Sequence, residues 1–246
     1  MSGGDRNRPA GWTARLVRSE TMAPDVTRME FEVAGQPSFD FRPGQYISMV
    51  RERDGERARR YYSIASAPNG TNRFELFVGG SFVAEPRPGM SVELEGPAGN
   101  FLLRDPLRKS VFLAHGTGIA PIRAMLQHLL AEEQQTRERL PVTLIYGART
   151  RECLYFREEF EAIEQRHANF RFYPTLSRAG SDWSGRKGYA QTHLGEAIGT
   201  AGEATGNGGP EVDVYFCGCR EMVAEVRAQL LQRGFDEEAI IHEKYG

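Results

Sequence analysis

The stretch from Ser110 to Leu130 constrains the fold more than any other part of the chain. Ser110-Val111-Phe112-Leu113-Ala114 is an uninterrupted apolar run of strand length, the pattern of a parallel strand buried on both faces. His115-Gly116-Thr117-Gly118-Ile119-Ala120-Pro121 follows. Pro121 suits the first residue of a helix, where its missing N–H would be unpaired anyway. Ile122, Met125, Leu126, Leu129 and Leu130 then recur on one helical face. Strand, glycine turn and helix start together present unpaired backbone N–H groups to an anion. Gly116 and Gly118 admit backbone conformations closed to other residues and let a phosphate approach closely, and Thr117 adds a hydroxyl. The same run also suits a turn that only packs, so its meaning depends on partners elsewhere in the chain.

The text changes character at this point. From Ser110 onward strands and helices alternate, which implies a parallel sheet with helices on its faces. Strands are expected at Ser110–Ala114, Val142–Tyr146, Phe170–Thr175 and Val212–Phe216. Helices are expected at about Ile122–Gln135, Phe156–His167, Thr192–Ile198 and Arg220–Arg233. Gly199 to Pro210, rich in Gly, Ala and Thr, reads as a flexible surface loop. Before Ser110 the runs are short and alternate polar with apolar residues: Thr13–Val17, Val26–Val33, Phe41–Val50, Phe74–Val78 and Met90–Glu95. Pro43-Gly44 reads as a turn and Asp54-Gly55 as a hairpin tip. Six or so strands without a long helix argue for a closed antiparallel barrel. The expected architecture is therefore two domains, an antiparallel Greek-key β-barrel over residues 8–105 followed by an α/β parallel-sheet domain over residues 106–246.

Composition removes several function classes. A net charge of −2 on 246 residues argues against a nucleic-acid binder driven by phosphate neutralisation. Three cysteines, Cys153, Cys217 and Cys219, cannot build a secreted disulfide framework or supply four thiolates to a plant-type iron–sulfur cluster. Cys217 and Cys219 alone are too few for a metal site, so none is expected. The polar run Met1–Pro9 has no signal-peptide character, and no apolar stretch reaches the length of a membrane span, so a soluble cytoplasmic protein is expected.

Four further runs carry chemistry in combination: Arg60-Tyr61-Tyr62-Ser63, Gly96-Pro97-Ala98-Gly99-Asn100-Phe101, Tyr215-Phe216-Cys217-Gly218 at a strand end, and Glu243-Lys244-Tyr245. Singly each has an ordinary structural reading: a strand with aromatic residues, a tight turn, a small core cysteine, a surface carboxylate beside a solvent-facing tyrosine. With the Gly116–Pro121 run, in this order and spacing, the chain resembles the ferredoxin–NADP reductase family and its flavin-dependent relatives, including oxygenase reductase components. The resemblance runs from about Thr13 to Tyr245.

The resemblance implies a bound FAD in the barrel domain and NADPH, with NADH possible, on the α/β domain. Arg60 would pair with a flavin phosphate through a bidentate guanidinium. Tyr61 and Tyr62 would neighbour the flavin, Tyr62 lying against one face of the isoalloxazine. Ser63 would place its hydroxyl by flavin N5. Tyr245 would cover the other face and yield when nicotinamide arrives. Gly116, Thr117, Gly118 and Pro121 would hold the nucleotide pyrophosphate. Cys217 would stand beside the nicotinamide with Glu243 as a polar partner. Gly80 and Ser81 would contribute to the flavin pyrophosphate site, in a segment about three residues shorter than the family pattern. Ser177, Arg178, Lys187 and Tyr189 resemble the group that surrounds an adenosine 2′-phosphate. Hydride transfer needs donor carbon and N5 about 3–3.5 Å apart, so residues of both domains would have to converge.

The expected activity is hydride transfer from NADPH to FAD, followed by single-electron transfer to a separate acidic carrier such as a ferredoxin or flavodoxin, or the reverse flow. Arg51, Arg53, Arg57, Arg59 and Arg60 would steer such a carrier, although the same residues also suit a solvated hairpin face. Alternatives are a reductase of free flavin, quinone or haem protein, and a non-catalytic electron-conduit subunit. Two departures stand out: His115 takes a place usually held by glycine, and Cys219 one usually held by proline.

Overall fold

The structure is a computed structural model of the 246-residue chain; it describes residues 11–53, 56–80, 86–131, 140–201 and 211–245. The chain divides into two compact units, one ending at Leu102 and the other beginning at Leu103.

Among its described residues the first unit has six antiparallel strands: β1 (Gly11–Ala23), β2 (Val26–Val33), β3 (Tyr46–Arg53), β4 (Glu56–Ser63), β5 (Arg73–Gly79) and β6 (Ser91–Ala98). Their order across the sheet is β4-β3-β6-β1-β2-β5, in which the hairpin pairs β1–β2 and β3–β4 are joined through β6, a non-sequential order of the Greek-key kind. An antiparallel bridge between Ile64 and Leu76, with the Ala65 N–H donating to the Glu75 carbonyl at 2.8 Å, joins the end of β4 to β5 and closes the barrel. Alternating inward residues fill it. Phe31 and Phe74 face each other across β2 and β5 with ring centroids 5.7 Å apart, among Leu16, Met29, Ile47, Met49, Leu76 and Leu94. β1 continues well past the expected Val17, with a register shift between Leu16 and Arg18. Beyond Leu16 its residues leave the core, so no apolar alternation marks the continuation. The expected hairpin tip Asp54-Gly55 lies outside the described residues.

The second unit is a parallel sheet of six strands, β7 (Lys109–His115), β8 (Val142–Ala148), β9 (Phe170–Leu176), β10 (Arg186–Lys187), β11 (Val212–Cys219) and β12 (Ile240–Tyr245), in the order β10-β9-β8-β7-β11-β12. Among the described residues four α-helices accompany it: α1 (Ile119–Leu129), α2 (Arg157–Arg166), α3 (Leu194–Ala201) and α4 (Arg220–Gln232). Every residue of β8 is buried, as a central parallel strand requires. The chain builds outward from β7 in one direction through β8 and β9, then returns to the other side with β11. The β7–β11 junction is thus the topological switch point, where open α/β sheets bind ligands beyond the strand ends.

Several expectations shift. α1 begins at Ile119 after a 3-10 turn at Gly116–Gly118, so Pro121 is the third helical residue rather than the first. A first-turn N–H has no helical acceptor, so proline fits there equally well. α1 ends at Leu129, with Leu130 already out of helical conformation, short of the expected end at Gln135, a residue that lies outside the described ones. Gly199 belongs to α3, which runs on to Ala201, and only residues 202–210 of the expected loop lie outside the described residues. β10 and β12 were not expected. β10 is two residues long, and β12 is a half-buried edge strand with no apolar period to read. Among the described residues no helix is long and apolar enough to cross a membrane.

Candidate functional site

At the switch point, the two glycines of the Gly-Thr-Gly turn are required for different reasons. Gly116 has φ +58°, and a Cβ placed on it would meet nothing within 4 Å. Its freedom is conformational. Gly118 lies in the ordinary helical region, at φ −61°. A Cβ on it would come within 2.4 Å of the Cys217 carbonyl oxygen and 3.0 Å of the Gly218 nitrogen. Gly118 therefore lets the start of α1 press against the end of β11. Tyr146, fully buried on β8, donates its hydroxyl to the Gly116 carbonyl at 3.1 Å and pins the turn from beneath. His115 has φ −135° and ψ 128°, an extended conformation any residue adopts, so no glycine is needed there. Pro121 is buried inside α1, where it shapes the helix start.

Beside the turn opens a cavity of about 580 Å³, within the range of small-molecule sites. The ends of the strands line it: His115 after β7, Gly147 to Arg149 after β8, Ser177 and Arg178 after β9, the segment Gly188 to Gln191, and Cys219, Glu221, Met222 and Glu225 from β11 and α4. Of the expected nucleotide residues, Ser177, Arg178 and Tyr189 are on this lining, and Lys187 precedes Gly188 on β10. Backbone bonds fix the pair: the Ser177 N–H donates to Ala148 O at 3.0 Å and the Arg178 N–H to Arg149 O at 2.8 Å. Arg149 was missed in the sequence because nothing in its neighbourhood marks it. It reaches the cavity only because β8 and β9 are adjacent. Burial and the Arg149 charge hold the His115 imidazole below its usual pKa.

Cys217 is wholly buried near the end of β11 and stands in register with Glu243 of β12. Burial raises its thiol well above the usual range, the Glu243 charge adds to this, and a hydrogen bond with the Tyr245 side chain opposes it. Burial thus favours the thiol over the thiolate, the form a nucleophile needs. Glu243 and Tyr245 thus meet Cys217 as neighbours on one sheet edge. Cys219 is exposed and caps α4. Among the described residues no group of three metal-binding side chains occurs.

In the barrel unit, β4 carries Arg60, Tyr61, Tyr62 and Ser63. Strand alternation sets Arg60 and Tyr62 on one face and Tyr61 and Ser63 on the other. Tyr62 is half-buried against the barrel core, where desolvation raises its phenol pKa and Arg60 opposes the rise. Ser63 is buried; Tyr61 is 65 % exposed and meets Tyr46 edge to face with centroids 5.6 Å apart. Arg60 is exposed. A flavin could therefore reach a guanidinium and an aromatic ring on a single strand face. Gly80 has φ +79°, and its N–H is committed to Asp25 O at 2.7 Å, so it offers a turn rather than a donor. Ser81 lies outside the described residues.

Residues 13–102 match the oxidoreductase FAD-binding domain family and residues 112–228 the oxidoreductase NAD-binding domain family. The chain is 37 % identical over 223 residues to ferredoxin–NADP reductase B of Sorangium cellulosum, covering 87 % of this chain and 88 % of that protein. It is 33 % identical over 221 residues to the phenol 2-monooxygenase reductase component of a Pseudomonas species, covering 83 % of this chain but only 58 % of that longer protein. Among solved structures it resembles the Amycolatopsis reductase GcoB, with TM-score 0.80, 27 % identity, and 96 % of this chain and 69 % of that one covered. A ferredoxin NADP+ reductase from Neisseria gonorrhoeae with bound FAD and NADP shares the fold, with TM-score 0.76, 22 % identity, and 96 % and 98 % coverage. An N-terminal unit matching the FAD-binding domain family, followed by a parallel-sheet unit matching the NAD-binding domain family, makes this an FAD- and NAD(P)-dependent oxidoreductase, and the chain belongs to the ferredoxin–NADP reductase family.

Proposed function

We propose that the chain is an NADPH-preferring reductase that delivers single electrons to a separate acidic carrier of the ferredoxin or flavodoxin type. The observation that carries the nucleotide preference is the gathering of Arg149, Ser177, Arg178 and Tyr189 on one cavity, with Lys187 adjoining. Two guanidiniums and a hydroxyl form a donor set suited to a phosphate monoester. NADH carries a neutral hydroxyl at that position and gains little from them.

Bound FAD supplies hydride acceptance and one-electron release, and the protein supplies orientation and electrostatics. Arg60 would hold a flavin phosphate, Tyr62 one face of the ring system, and buried Ser63 a hydroxyl near the hydride-accepting atom. The Cys217 thiol, kept neutral by burial, offers a small uncharged surface for a flat nicotinamide. Tyr245, hydrogen-bonded to that thiol, has to move aside first, and Glu243 provides the adjacent carboxylate. The carrier reading is supported by exposed Arg51, Arg59 and Arg60 on the β3–β4 hairpin and by the name of the Sorangium relative. The side chains of Arg53 and Arg57 lie outside the described residues.

The test is anaerobic titration of the purified protein with NADPH and NADH separately, repeated on Arg178→Ala and followed by acceptor profiling with a ferredoxin, a flavodoxin and a neutral quinone. A charge-assisted bond contributes about 1.5–3 kcal/mol, so the NADPH KM of Arg178→Ala should rise roughly ten- to a hundredfold with little change for NADH. Equal effects on the two nucleotides would refute the preference.

A further inference from the structure

β10 is only two residues long, pairing Arg186 with Thr175 and Lys187 with Leu176 at the edge of the sheet. It nevertheless leads directly into one wall of the nucleotide cavity, Gly188 and Tyr189. Gly188 turns the chain there with φ +102°, and its N–H donates to Leu176 O at 2.9 Å. So short an edge strand has few ladder bonds of its own, and other groups must hold it.

The support comes from behind. His193 closes the 3-10 turn Ala190–His193 that follows the strap. Its Nε2 lies 3.1 Å from the Lys187 carbonyl oxygen and 3.2 Å from Thr175 Oγ1. Thr175 is fully buried, and its hydroxyl lies 3.0 Å from the Gly188 carbonyl oxygen. A carbonyl only accepts, so His193 must carry its proton on Nε2, and Thr175 must spend its own proton on Gly188. The Thr175 oxygen is then free to accept a share of the same Nε2–H. One arrangement of protons satisfies all three contacts, and it ties two consecutive carbonyls of the strap to the sheet. On its outer side Arg186 lies over the Tyr173 ring at 3.5 Å and its carbonyl accepts from Trp183 Nε1 at 2.7 Å.

We propose that His193, acting with Thr175, is a positioning residue for nucleotide selection: the pair clamps the Lys187–Tyr189 strap so that its side chains stay at the adenosine-phosphate end of the cavity. The proposal rests on the NADPH reading above. It assigns His193 no contact with the nucleotide, since its Nε2 is turned to the Lys187 carbonyl and the Thr175 hydroxyl.

The experiment measures kcat and KM for NADPH and NADH in the flavin-loaded enzyme and in His193→Ala, His193→Gln and Thr175→Val, with Lys187→Ala as reference. Loss of one or two neutral hydrogen bonds predicts a rise in NADPH KM of roughly three- to tenfold in His193→Ala and Thr175→Val. The NADH KM and kcat should stay within about twofold, because the clamp acts only on the strap. His193→Gln, whose amide nitrogen can donate from nearly the place of Nε2, should restore most of the loss. A general weakening of the fold would move both nucleotides together and would not be rescued by glutamine, and either result overturns the clamp. A rise in NADPH KM for Lys187→Ala with none for His193→Ala or Thr175→Val also overturns it while leaving the NADPH reading standing. No change in Lys187→Ala removes the reading at that residue, and the clamp with it.

Discussion

Replacing Gly118 by alanine tests how tightly the glycine turn before α1 is built into the sheet. The added methyl would sit 2.4 Å from the Cys217 carbonyl oxygen, 2.7 Å from its carbon and 3.0 Å from the Gly218 nitrogen. Carbon contacts are comfortable near 3.5–4.0 Å, and all three atoms are backbone, so no side chain can swing away. The start of α1 must therefore back off by about 1 Å, or the end of β11 must bend. Overpacking of this kind costs about 1–3 kcal/mol, and a rigid backbone contact belongs at the upper end. Alanine adopts the helical conformation of Gly118 without strain and stiffens the unfolded chain, returning about 0.4–1 kcal/mol. The net expectation is a loss of about 2 kcal/mol, equivalent to roughly 4–8 °C in Tm for a chain of this size. Gly116→Ala should lose a comparable amount for a different reason, since its φ of +58° lies in open space and costs alanine about 1–2 kcal/mol. Asparagine tolerates that conformation, so Gly116→Asn should recover much of the loss and Gly118→Asn none. Thermal denaturation followed by circular dichroism, with the rate of flavin reduction by NADPH, reads all four variants. Only the Gly118 pair should also slow hydride transfer, because it displaces Cys217. A Gly118→Ala protein that melts with the parent and reduces its flavin at the parental rate would refute the reasoning.

Other outcomes follow from single features. Asp213 is fully buried with no hydrogen bond to its Oδ2, and the Arg104 guanidinium lies 3.2 Å from its other oxygen and also pairs with exposed Glu238. Arg104→Met should therefore cost about 3–5 kcal/mol in urea denaturation, with most of it recovered by adding Asp213→Asn; a loss under about 1 kcal/mol would count against the pair. His115 and His128 are both held below the ordinary imidazole value, His115 by burial and Arg149 and His128 by burial. The unfolded chain thus takes up protons first on acidification, so stability present above about pH 6.5 is lost as the pH falls through the depressed folded values. His128→Gln should flatten the decline of Tm between about pH 7.5 and 5.5, and an unaltered slope would exclude that group as a cause. Cys217→Ala should slow flavin reduction about ten- to a hundredfold through a misplaced nicotinamide while hardly changing KM, and a parental rate would remove Cys217 from the site. If the hairpin arginines steer an acidic carrier, added salt should slow carrier reduction and leave a neutral quinone unaffected; a flat profile for both would end that idea.

What could be read from the chain alone was whatever depends on near neighbours in sequence. The alternation of Val26–Val33, the apolar run before His115, the stripe on α1 and the glycine turn between them each arise from residues a few positions apart. Those local patterns were enough for the antiparallel unit, the parallel sheet and the glycine turn between β7 and α1. The proposed flavin roles of β4 residues came instead from resemblance to a family, since a strand of arginine, tyrosine and serine has no unique local meaning.

Tertiary structure alone decided which distant groups share a boundary. Arg149 joins Ser177 and Arg178 because β8 and β9 are adjacent, and Cys217 meets Glu243 and Tyr245 because β12 pairs with β11. Gly118 is required by the end of β11, and His193 reaches back to the Lys187 carbonyl on a two-residue strand that no periodicity announces. Secondary structure follows from backbone sterics and the spacing of apolar side chains, both of which a sequence displays. Burial, pKa and hydrogen-bond partners depend on which strand lies beside which, and that is determined only when the sheet forms.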